Sequence, residues 1–369
     1  MRIAIITVQR VTNYGALLQA FASRHVLSKY GEVNVVDYEN PYLTSHMHLI
    51  RYGLSTRGVK MFVHDIFNIR NRLILIKKFT SFINEHLALT QRVNSEDLEN
   101  GVLDGYDFYV SGSDQIWNPK IINQHNEIDP IYFLSFVRPE SNKISYASSM
   151  GNYEFSSLES TKVKDFLNDF KAISVREKEG VDYLNGLFKE KTITQVLDPT
   201  LLLTKNDWLS VFKVKESNYL VSDNYILVYS VPRTKLLRKA ILFFANKFNM
   251  PVIAIDKMLQ PMQGVSKSIR SAGPEEFISL FTNANFIITD SFHGTCFSVN
   301  FEKPFVCIPA TKKANRQEGL LGALGLLDRI IYQEKDFGNI TDEIDYELPS
   351  AKLTKLREQS LSYLESALG

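Results

Sequence analysis

The chain has 369 residues, too many for one ordinary core and suited to two domains. With 44% hydrophobic and 22% charged residues it is globular, not disordered. A net charge of +1 excludes broad nucleic-acid binding, which needs a clear basic excess to neutralise phosphates.

The first apolar run, residues 3–8, is five or six residues long and lacks a small-residue cleavage site, so it reads as a strand and not a leader. A helix is expected over 16–29 and a second strand over 33–38. Residues 106–119, "YDFYVSGSDQIWNP", read as a strand entering a polar loop, and 143–151 repeat that design. A further strand ends at Arg176-Glu177, where a helix opens, and "VLDPTLLL" (196–203) closes the series as its last strand. The second series starts at 225–231. A helix over 233–248, a strand at 251–256, a helix over 273–284, the strand "FIITD", a helix from His293, a strand at 304–310 and a helix near 316–325 follow. Short β-branched runs alternating with longer helices predict parallel sheets. The expected fold class is therefore α/β, with two Rossmann-like domains. The first covers 1–204 and the second 222–345, with a boundary near 204–222 and a terminal helix over 351–369. No stretch approaches the roughly 20 apolar residues that span a bilayer. With only two cysteines, Cys296 and Cys307, and no ligand set around them, no metal is expected and a reducing, cytoplasmic setting is.

An inserted basic helical region, 44–90, fits neither series and is assigned to the first domain. Its residues 44–78 hold Arg51, Arg57, Lys60, Arg70, Arg72, Lys77 and Lys78 against one acid, Asp65. Phe62, Ile66, Ile69, Leu73 and Ile76 follow a helical spacing. The expectation is an apolar side on the core and a solvated basic side; the alternative is a surface that rests on anionic lipid.

In open α/β sheets ligands bind beyond the carboxyl ends of the strands, so the loops there are the candidates. Asn13, Tyr14 and Gly15 open the first helix and suit an anion or sugar hydroxyls, unless Asn13 is simply a cap. The spacing is not that of a dinucleotide loop. Ser113, Asp114 and Gln115 suit sugar hydroxyls, or Asp114 caps a helix; Trp117 lies against a sugar ring or packs. The fork of Arg176 suits a carboxylate or phosphate, or pairs with a neighbouring acid. Of seven histidines, His293 alone follows a strand directly and enters a helix, at Gly294-Thr295, where it can meet an anion and move a proton.

Taken in order, "TNYGALLQAF", "SGSDQIWN", "ISYASSMG", "SVREKEG", "LDPTLLL" and "FIITDSFHGTCFSVNFEKPFVCI" resemble the polysaccharide pyruvyl transferase family. The resemblance implies a GT-B-like fold with a cleft between domains. It implies transfer of pyruvate from phosphoenolpyruvate, as co-substrate with no further cofactor, to a sugar of a surface polysaccharide or its lipid-linked precursor, as a ketal. It makes His293 catalytic and Arg176 a donor-binding residue. A mechanism consistent with the loops themselves adds Asp114 as the acceptor's base, Asn13, Tyr14, Gly15, Ser113 and Gln115 as the acceptor's contacts, and Ser291, Gly294, Thr295 and Arg316 beside Arg176 and His293 on the donor. Many family members carry Arg-Leu-His where this chain has Ser291-Phe292-His293, so either another cation replaces that arginine, such as Lys257, Arg270, Lys312 or Arg316, or the donor differs. The rivals are a GT-B glycosyltransferase using Asp256 or Asp290 on a nucleotide sugar, and a non-catalytic binding partner. Peripheral contact with the inner membrane face is a further expectation.

Overall fold

The computed structural model describes residues 1–53, 55–212, 224–311 and 314–369, and the backbone alone for Arg57. It contains two compact units. The first comprises Met1–Met47, Ser81–Leu202 and Thr354–Gly369; the second comprises His48–Thr80 and Leu203–Leu353. Part of the expected boundary, 213–223, lies outside the described residues.

The first unit holds a sheet of β1 (Arg2–Ile6), β2 (Glu32–Tyr38), β3 (Leu89–Val93), β4 (Phe108–Ser111), β5 (Asn142–Ser145), β6 (Phe170–Val175) and β7 (Ile193–Gln195). Its order is β3-β2-β1-β4-β5-β6-β7. The second holds β8 (Ile226–Tyr229), β9 (Val252–Ile255), β10 (Lys267–Ile269), β11 (Phe286–Thr289) and β12 (Phe305–Cys307), ordered β10-β9-β8-β11-β12. Neighbouring strands are parallel throughout. The central strands β4, β8, β9 and β11 are buried along their whole length, which is why they read as unbroken apolar runs.

Two expectations fail at the sheet edges. Residues 196–203 are not a strand: Asp198 caps a short 3₁₀ turn, Pro199–Leu201, and β7 lies just before it. The edge strands β3 and β10 were not expected from sequence, because a strand with one free side carries polar residues such as Thr90, Gln91 and Ser268 that break the apolar pattern.

The helix Glu347–Leu368 packs its last turns on the first unit, where Arg357 Nε donates to Leu201 O at 2.6 Å and Tyr363 OH to Ser145 O at 2.8 Å. Most of the insert groups with the second unit and not, as expected, with the first. Sequence position suggests the wrong partner because the ties are long-range and polar: His64 and Asn68 both bond the backbone carbonyl of Lys257, and Lys78 pairs with Glu276.

Candidate active site

In each sheet the strand order reverses once, between β1 and β4 in the first unit and between β8 and β11 in the second. A crevice opens at such a reversal because the two connections leave in opposite directions. The loops of Asn13 and Asp114 follow β1 and β4 and that of His293 follows β11, while Arg176 follows β6.

In the first unit, Thr7 Oγ1 donates to Ser113 O at 2.8 Å and stitches the end of β1 to the end of β4. Asn13 caps the helix Tyr14–Leu27, its Oδ1 accepting from Gly15 N at 3.0 Å and Ala16 N at 3.4 Å. Tyr14, Gly15 and Ser113 are buried, whereas Asn13 is exposed and Asp114 and Gln115 are half-buried. Trp117 packs: its ring stacks on Phe133 with centroids 5.1 Å apart, and its Nε1 donates to Ser111 Oγ and Tyr132 O. Asp114 takes the left-handed backbone conformation, φ 71°, which bends the loop sharply after β4.

Arg176 differs from expectation. Its side chain is 3% exposed, and its fork faces three carboxylates. Nη1 donates to Asp198 at 2.5 Å and Nε to Glu177 at 3.0 Å, while Nη2 lies 3.8 Å from Asp114. Burial alone would lower the pKa of the guanidinium; Glu177, Asp198 and Asp114 outweigh it and raise it. One cation among three acids leaves a negative surplus, which does not attract a doubly charged enol ester. The donor assignment for Arg176 is therefore not favoured by this geometry; the residue braces the ends of β6 and β4 and the turn after β7. Sequence reasoning missed Asp198, although Asp-Pro-Thr is a capping signal: its Oδ1 accepts from Thr200 N at 2.9 Å and Thr200 Oγ1 at 2.6 Å. Glu177 also accepts from Ser149 Oγ at 2.7 Å.

In the second unit, Asp290 ties the two strands of the reversal by accepting from Ser230 Oγ and from Val231 N, the latter at 2.9 Å. Burial pushes its carboxyl above the usual range. His293 lies in the first turn of the helix Phe292–Asn300 and is 7% exposed. The amides expected to receive an anion are engaged: Gly294 N donates to Ser291 Oγ at 3.3 Å and Thr295 N to Ser291 O at 2.9 Å. Gly294 is needed for packing, since a Cβ would collide with Thr289 and stand 3.1 Å from the Tyr229 ring. An anion here would meet the helix dipole and the His293 ring, not those two amides.

The missing cation is narrowed by position. Arg270 donates to the carbonyls of Met258 and Leu259. Lys257 has its ammonium 5.9 Å from the centroid of Phe79, and burial, with Arg72 and Arg51 nearby, lowers it to about 7. Lys312 lies outside the described residues. Arg316 rests over the ring of Phe292, the residue before His293, with its Cζ 5.5 Å from the centroid. Both carboxylates offered to a nucleotide sugar are occupied: Asp256 pairs with Arg233, and Asp290 joins β8 to β11. Among the described residues, no helix is long and apolar enough to cross a membrane.

The family model described as polysaccharide pyruvyl transferase matches residues 13–310. The chain belongs to the polysaccharide pyruvyl transferase family. That membership makes it a transferase and a polysaccharide-modifying enzyme. No curated protein matches it significantly. Among solved structures, a UDP-N-acetylglucosamine 2-epimerase from Rickettsia bellii is similar, with TM-score 0.52 and 13% identity over 99% of this chain and 98% of that one. A UDP-GlcNAc 2-epimerase from Neisseria meningitidis, bound to UDP-GlcNAc, has TM-score 0.51 and 10% identity over 100% and 94%. These likenesses place the family member in the GT-B fold and carry nothing about its substrate.

Proposed function

We propose that this family member transfers the pyruvyl group of phosphoenolpyruvate to a sugar and closes it as a ketal. The observation that carries the reading is His293 at the strand-order reversal of the second unit, with Arg316 on the neighbouring phenyl ring. Arg316 takes the donor's carboxylate or phosphate with a two-pronged grip. The ring of His293 donates a proton to the methylene carbon of the donor or takes one from the attacking hydroxyl.

The atoms balance without any redox partner. One acceptor hydroxyl supplies the proton that turns the methylene into a methyl, and its oxygen bonds to the adjacent carbon. The second hydroxyl displaces the phosphate oxygen at that carbon, and its proton leaves with inorganic phosphate. Asp114, half-buried beyond the carboxyl end of β4, is the proposed base for the acceptor, with Asn13 and Gln115 on its hydroxyls. The acceptor is a sugar of a surface polysaccharide or of its lipid-linked precursor.

Phosphate release on mixing phosphoenolpyruvate with a vicinal or 1,3-diol sugar acceptor tests the reading directly. Release that needs both partners is expected; none with any acceptor, together with no thermal shift by the donor, removes it. A ligand at 100 times its Kd stabilises by about 2.7 kcal/mol, so phosphoenolpyruvate is separable from a panel of UDP-sugars by melting alone.

A further inference from the structure

We infer that the insert 48–80 docks this enzyme on a bilayer surface that carries anionic headgroups. Its first helix, Thr56–Phe67, and the first turn of the next, Ile69–His86, are inside out, whereas further along the second helix Leu75 and Phe79 are buried as in an ordinary core. The side turned into the second unit carries Asp65, Asn68 and Arg72, which are 0%, 2% and 4% exposed. Arg51 grips Asp65 with Nε at 2.9 Å and Nη2 at 2.7 Å, and His64 Nδ1 lies 3.0 Å from the same carboxylate. Arg72 bonds the carbonyls of His48 and Leu49, and Asn68 bonds that of Lys257.

The apolar side is the one left outside. Val59, Phe62, Val63, Ile66 and Phe67 recur at helical spacing and are 42% to 76% exposed, and Leu73 continues the face on the next helix at 57%. A helix of a soluble core turns this stripe inward. A contiguous exposed patch of this kind marks an interaction surface.

Charge decides the occupant. Exposed Lys60, Arg70 and Lys77 flank the stripe, and from residue 44 to 84 the single acid is the buried Asp65. A second copy meeting this patch through a two-fold axis would bring those cations against themselves. Protein interfaces deplete Lys around their cores. Phenylalanine and aliphatic residues bordered by Lys and Arg are instead the composition of a helix lying in an anionic lipid interface. The inference stands apart from the donor chemistry.

Co-sedimentation with vesicles of 30% phosphatidylglycerol in phosphatidylcholine, against phosphatidylcholine alone, tests it. The full chain is expected to bind the anionic vesicles at least tenfold more strongly, and F62S/F67S to lose that binding while keeping its circular dichroism spectrum. Removing the three flanking cations, K60A/R70A/K77A, should weaken it on the order of 100-fold, from about fivefold per charge. Equal binding to both vesicle types, or none, overturns the inference. So does a drop from dimer to monomer in F62S/F67S by sedimentation velocity, which would assign the face to a second copy.

Discussion

The two strand-order reversals occupy the same topological position and differ in charge. Beside the first, where Asp114 follows β4, the buried guanidinium of Arg176 at the end of β6 is enclosed by Asp114, Glu177 and Asp198. At the second, each carboxylate is tied to a local partner, and the His293 ring and the Arg316 guanidinium both approach the Phe292 ring. Repeating a fold does not repeat a site. A negative, hydrogen-bonding edge suits neutral hydroxyls, and a cationic one suits an anion.

The largest effect should come from breaking the first edge. Arg176→Ala strands the buried carboxylates of Glu177 and Asp198, and loss of one partner of a buried ion pair costs about 3–5 kcal/mol. Urea denaturation is expected to show that loss. If Arg176 instead grips the donor, the donor's KM rises steeply while the urea midpoint stays put, and the contrast between the edges collapses. Next is His293→Ala, expected to lower kcat on the order of 100-fold or more with an unchanged melting temperature. Normal turnover would empty the second edge of its chemistry. Arg316→Ala should act on binding: losing a charge-assisted hydrogen bond of about 1.5–3 kcal/mol raises the donor's KM roughly tenfold or more, with kcat little changed. An unaltered KM would return the missing cation to Lys257, Arg270 or Lys312.

Much of this contrast is legible in the sequence, though unevenly. The buried central strands announce themselves, since IIe-Ile and Val-Ile runs bounded by polar loops have no other economical reading, and the loops that follow them are the ones at both reversals. His293 stands out because it follows β11 directly. The partners of Arg176 do not. Asp198 is 22 residues away, and only the parallel pairing of β6 with β7 brings it to the fork. Arg316 is equally remote from Phe292 in the chain. The insert is the clearest failure. Helical spacing fixes its apolar stripe correctly, but spacing cannot say which side faces the protein. The outcome turned on Asp65, whose pairing with Arg51 and contact with His64 let a polar side be buried.

The remaining effect is confined to particular pH windows and rests on the polar network around Asp65 and Lys257. Lys257 follows β9, and burial together with Arg72 and Arg51 holds it at about 7 against an ordinary 10.5. Asp65 is the acid nearest those arginines, and its carboxyl is held at about 2: burial opposes the charge and the Arg51 fork overrides it. A lysine depressed in the folded state binds fewer protons there than in the unfolded chain between about 7 and 10.5. Stability from this group is therefore complete above 10.5, falls as the pH drops toward 7, and is flat below. Asp65 has the same sign in a different window: its contribution holds above about 4 and is lost as the pH falls through 2. Lys257→Met should flatten the melting temperature between pH 7 and 10 and leave the acid limb untouched, whereas Asp65→Asn should do the reverse and lower stability throughout the neutral range. A slope between pH 7 and 10 that survives Lys257→Met would mean that another group carries it.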